Sequence, residues 1–177
     1  MKTRIMTVWA ALILVAAATI VRADEPTKKK PDATSKEFEQ MKKMVGTWKG
    51  KVDIGSGPVD MTSEYRLISG GTVLEERVFP GTPQEMVTMY YDQNGKLAMT
   101  HYCMMGNRPA MKLKSSDEKS ISFDFDATCG INPAKESHMH ALSIRFDDAD
   151  TVTMNCKALM DGNEMPEHPA TLKRVKS

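Results

Sequence analysis

The stretch Ser137–Phe146, SHMHALSIRF, alternates with the period of a β-strand and places His138 and His140 on the same side as Leu142, Ile144 and Phe146. A second stretch, KLAMTHYCMMGN, sets His101 and Cys103 on the side of Leu97 and Met99. A third, VTMNCK, sets Cys156 on the side of Val152 and Met154. If each apolar side is interior, all five groups point into one cavity. An imidazole buried there must have a partner, since each unsatisfied polar group costs about 1–3 kcal/mol. Two histidines at i and i+2 of a strand can share one ion, and imidazole with thiolate suits zinc, copper or haem iron. A polar, partly hydrated cavity in which neutral histidines hydrogen-bond to Tyr, Asn or water is the simpler reading.

Catalysis by Cys103 would require an activating base. His101 shares its face, but side chains two apart along a strand stand about 7 Å from each other, so the base would come from another strand, His138 or His140. The sequence places no acidic residue to orient that base. These residues therefore point to binding before catalysis. The chain has 15 methionines, all but Met1 and Met6 beyond the first 23 residues. Thioethers prefer Cu(I), but methionine also fills irregular cores, and packing is the favoured reading. Met99 and Met154 belong to the expected cavity wall. Arg108, in the turn-rich segment MMGNRPAM, could meet an anionic head group at a barrel mouth or simply be a solvated loop residue.

The elements that would position these groups are legible from period and turn chemistry. Residues 35–45, SKEFEQMKKMV, carry Phe38, Met41, Met44 and Val45 at helical spacing, with Ser35 or Thr34 as N-cap and Gly46 as the stop. Beyond Gly46 the period is two, and strands are predicted over 47–54, 59–68, 72–79, 85–91, 96–104, 109–114, 120–126, 138–146, 151–158 and 168–175. Asn94-Gly95 suits a type I′ hairpin. Phe123 and Phe125 with Ile121 alternate against Asp124 and Asp126 and read as core. Ten short strands joined mostly by hairpins after one helix predict an all-β, antiparallel up-and-down barrel, with a two-sheet sandwich as the alternative.

The motif VGTWKG, with Gly46-x-Trp48 opening the first strand and Lys173-Arg174 in the last, resembles the lipocalin and fatty-acid-binding (calycin) superfamily. The resemblance implies a ligand-holding barrel in which Trp48 sits at the closed end under a basic side chain of the final strand. More closely, the GTW, HYC and HMH elements are similar to those of exported bacterial lipocalin-like proteins, a likeness that spans Phe38 to Val175. The segment MPEHPATLKRV is also similar to the C-terminal segment of nitrobindin-type barrels, whose proximal haem histidine would match His168. Pro169 departs from that pattern.

Residues 1–23 have Lys2 and Arg4, an apolar run from Ile5 to Ile20, and a small-x-small close at Val21-Arg22-Ala23, the pattern of a cleaved secretory signal. Cleavage would remove three basic residues and take the formal charge from +1 to −2. That balance argues against nucleic acid as a partner. No later run approaches the ~20 apolar residues of a membrane-spanning helix. Residues 24–34 are charged, hold two prolines and read as a flexible leader, leaving 35–177 as one barrel domain. Export, to periplasm or exterior, would expose Cys103, Cys129 and Cys156 to oxidation, with three single-bridge pairings open. The expectation is an exported protein that holds a small, largely apolar or amphipathic ligand. A metal- or haem-binding barrel, with or without enzymatic activity, and a filled structural barrel are the rivals.

Overall fold

The computed structural model describes residues 34–53, 55 and 57–176. The predicted signal segment and most of the charged leader lie outside the described residues.

Helix α1, Lys36–Met41, begins where Ser35 Oγ accepts the Phe38 amide at 3.0 Å and tightens into a 3₁₀ turn over Lys42–Met44. Phe38, Met41 and Met44 are fully buried. Val45, read from its spacing as part of the same face, is instead exposed, because the 3₁₀ turn changes the angular step before it. Gly46 follows at φ +121°, a left-handed turn into the first strand that a side chain would strain.

Eleven strands follow: β1 Gly46–Asp53, β2 Pro58–Ile68, β3 Val73–Val78, β4 Met86–Gln93, β5 Lys96–Tyr102, β6 Ala110–Ser116, β7 Ser120–Phe125, β8 His138–Phe146, β9 Thr151–Met160, β10 Asn163–Glu164 and β11 His168–Arg174. The predicted strands match these within a few residues, Ile54 lying outside the described set. The two-residue β10 is not among the predicted strands, and β5 stops two residues short of its predicted end. It ends at Tyr102 because the Cys103 amide turns to Asn107 O and Gly106 N returns to Cys103 O, so Cys103 and Met104 belong to a loop. Asn94 and Gly95 both have positive φ, as the type I′ turn requires.

Every neighbouring pair from β1 to β9 is antiparallel, and β11 joins β9 to β1. β10 and β11 occupy the same edge of β9, so the wall is a closed ten-stranded barrel. Closure at the last seam depends on Gly50, where a Cβ would stand 2.1 Å from the Thr171 carbonyl oxygen. Helix α1 seals one end. The Ser35 amide and hydroxyl each donate to Asp92 at 2.6 Å, and Ser116 Oγ donates to Glu37 at 2.7 Å.

Candidate functional site

At the end sealed by α1, Trp48 is 1% exposed and donates through Nε1 to Met44 O at 2.7 Å. The Arg174 guanidinium lies 4.2 Å from the Trp48 ring and donates to the carbonyls of Val45 (2.8 Å) and Lys43 (2.6 Å). Above them Leu74, Tyr90, Met99, Ile144, Val152 and Leu172 fill the barrel without gaps to solvent. Met99, expected at a ligand, is part of this packed layer.

Toward the opposite end the interior opens into a cavity of about 190 Å³. Its apolar walls come from Val52, Met61, Val78, Phe79 and Met86 on one side, and from Met139, Leu142, Met154 and Ala170 on the other. Five polar side chains join them: Glu76, Thr88, His101, Cys156 and His168. Three of these belong to one row. Tyr65 on β2, Glu76 on β3, Thr88 on β4 and His101 on β5 are directly opposed residue by residue across four strands. Their side chains therefore share the inner face at one level of the barrel.

The row is joined by hydrogen bonds. Tyr65 and Tyr90 donate their phenols to the two oxygens of Glu76, at 2.5 and 2.8 Å, and Thr88 Oγ1 lies 2.9 Å from His101 Nδ1. Glu76 is 2% exposed. Burial raises its pKa, opposed by the hydroxyls of Tyr65, Tyr90, Ser63 and Thr88, which favour the charged form. Burial also raises both tyrosines, with the Glu76 charge adding to the effect. It pushes His101 down to about 4, so this imidazole is neutral at pH 7. The Cys156 thiol is pushed up to about 11 by burial first, then by Cys103 and Glu76, which leaves it protonated and a poor nucleophile.

Of the residues singled out in the sequence, His101, Met154 and Cys156 reach the cavity, as does His168 from the C-terminal resemblance. His138 and His140 do not line it. The β8–β9 register shifts between Met139 and Ala141, so His140 is an extra residue in the strand. Such a bulge reverses the alternation, and Met139 takes the cavity-facing place beside Leu142. His138 is fully buried against Phe125, ring centroids 4.4 Å apart. Its Nδ1 lies 2.7 Å from Glu136 O and its Nε2 3.2 Å from His140 Nδ1. Since a carbonyl only accepts, His138 Nδ1–H donates to Glu136, and its Nε2 accepts from His140 Nδ1–H. The two histidines thus satisfy each other and a backbone carbonyl. Burial, then the His138 neighbour, lowers the pKa of His140.

Cys103 is half-buried in the β5–β6 loop, and Arg108 is exposed in the same loop. Among the described residues neither Cys103 nor Cys156 hydrogen-bonds to a histidine, and no three His, Cys, Asp or Glu side chains are grouped to hold a metal ion. The set His101, Cys103, His138 and His140 is therefore divided between the cavity, a loop and the bulge. All three cysteines are free thiols. The haem position fits in one respect, since His168 does reach the cavity. The space does not fit: about 190 Å³ is below even the ~300–1,000 Å³ of pockets for drug-sized ligands, and a haem macrocycle is larger than those.

Glu76, Thr88 and Tyr65 also belong to the site, and the strand patterns alone do not point to Thr88 or Tyr65. A signal existed for Glu76, which stands between Leu74 and Val78 on what period two makes an apolar strand face.

No family model matches the chain, and a search of curated proteins finds no match. Among solved structures, the crystal structure of Rv2717c from M. tuberculosis superposes with a TM-score of 0.53 at 13% identity, covering 81% of this chain and 99% of that one. At that identity the likeness is one of fold. A redesigned β-barrel aligns with a TM-score of 0.37 at 9% identity, over 76% of this chain and 94% of the other.

Proposed function

We propose that this barrel is a binding protein for one small, largely apolar molecule held in the open-end cavity. The observation that carries the reading is the change within the barrel from a solid lower half to an apolar chamber into which a few polar groups converge, the usual make-up of a ligand site. An apolar cavity of about 150 Å³ accepts benzene. A chamber of 190 Å³ suits a ligand of one ring with a short substituent. The calycin resemblance of Gly46, Trp48 and Arg174 supports the same use of the fold. The composition of residues 1–23 supports export, and the binding protein would then act in the periplasm or outside the cell.

Ring-sized probes such as indole should raise the melting temperature in proportion to occupancy. Ala170, 4% exposed in the cavity wall, offers the control. Ala170→Leu should fill the chamber and remove the shift while the protein remains folded. A shift that survives Ala170→Leu would place the probe elsewhere and refute the reading.

A further inference from the structure

Among the described residues Glu76 is the one carboxylate in the cavity wall, and it stands on the floor of the chamber. Below it on β3, Leu74 belongs to the solid half of the barrel, and above it Val78 and Phe79 line the space. Both its oxygens accept from neutral phenols, and the other hydroxyls near it, Ser63 and Thr88, are neutral as well. The charged residues beside it in β3 are paired elsewhere, Glu75 with Arg66 at 2.8 Å and Arg77 with Glu85 at 2.5 Å. No Lys or Arg lines the cavity among the described residues. His101, the nearest imidazole in the row, is held neutral. A buried carboxylate is costly unless a cation accompanies it, and a chamber that contains the carboxylate but no Lys or Arg leaves that place to the occupant.

We infer that the ligand is a small apolar amine whose ammonium group sits on the Glu76 carboxylate while its body packs against Phe79 and the thioethers of Met61, Met86, Met139 and Met154. The walls suit this charge. The face of an aromatic ring attracts a cation, and thioethers are polarisable and adapt to shape. This inference rests on the cavity being a binding site and adds the chemical class of what enters it.

Benzylamine, benzyl alcohol and benzoate share one ring and differ in the group they would present to Glu76. Calorimetric titration of the intact protein at pH 7 should rank benzylamine at least about tenfold tighter than benzyl alcohol, with benzoate weakest. Glu76→Gln should remove the preference for the amine over the alcohol. If Glu76→Gln does not fold, the wild-type ranking still decides the matter. A second measure is proton release: where Glu76 is protonated in the free protein, benzylamine binding should expel a proton, seen as a heat that varies with the buffer's ionisation enthalpy, whereas benzyl alcohol should not. Equal binding of amine and alcohol, or an amine preference that persists in Glu76→Gln, would overturn this inference and leave the binding-protein reading standing. Binding of none of the three would overturn both.

Discussion

At the end of the barrel where β1 begins, the interior holds Trp48, Phe38, Met41 and Met44, and Arg174 donates to the carbonyls of Val45 and Lys43 and covers an indole. Where β1 ends, the same ten strands carry Glu76, Thr88, His101, Cys156 and His168 around empty volume. The wall is continuous from one end to the other. The difference lies in what alternate positions of each strand carry: apolar groups of complementary size below, and polar or flexible groups above. Packing free energy is spread over many contacts and hardly changes with pH, whereas buried titratable groups tie stability and binding to protonation. The two ends should therefore fail in different ways.

The largest effect is expected at the closed end. Trp48→Ala should cost about 3–5 kcal/mol in denaturant unfolding, at every pH at which the protein folds, without changing probe affinity in the folded fraction. In the chain beginning at Asp24, where Trp48 is the one tryptophan, fluorescence should be blue-shifted and poorly quenched by iodide. A solvent-like emission maximum would contradict the burial of this ring.

At the open end the signature is pH-dependent. The folded pKa of His101 is lowered from 6.5 to about 4, so between those values the unfolded chain binds a proton that the folded chain does not. Stability is thus lost as pH falls through this window, by on the order of 3 kcal/mol. His101→Gln should remove that share of the acid loss, read as the difference between the two stability–pH curves. Glu76 acts with the opposite sign. Its folded pKa is raised, so its contribution is present below the unfolded pKa and fades as pH rises through the folded value. Relative to wild type, Glu76→Gln should gain stability toward high pH. Parallel curves for either variant would erase the proposed contrast between the ends.

Smaller effects sharpen the comparison. Arg174→Met removes the cation over Trp48 and the bonds to Val45 and Lys43 and should cost about 1–3 kcal/mol, with little effect on ligand probes. The thiols should differ in rate more than in energy. With its pKa near 11, Cys156 should be alkylated more slowly at pH 8 than Cys103 or Cys129, and a bound probe should slow it further. Equal labelling of all three in the native state would place Cys156 outside the chamber.

The local elements are legible in the chain's own pattern. Period-two alternation and turn residues were sufficient for the strands, Ser35 and the spacing of Phe38, Met41 and Met44 for the helix, and Asn94-Gly95 for its hairpin, because each depends on residues a few positions apart. His101, Met154 and Cys156 could be assigned an inward face for the same reason. The site arises from long-range pairing. The row Tyr65, Glu76, Thr88, His101 exists because four registers align, and no local pattern states which residue of one strand faces which of the next. The bulge at His140 is likewise a property of β8 paired with β9. One inserted residue reversed the alternation, took His138 and His140 out of the cavity wall and brought Met139 in, which a single strand read alone cannot reveal.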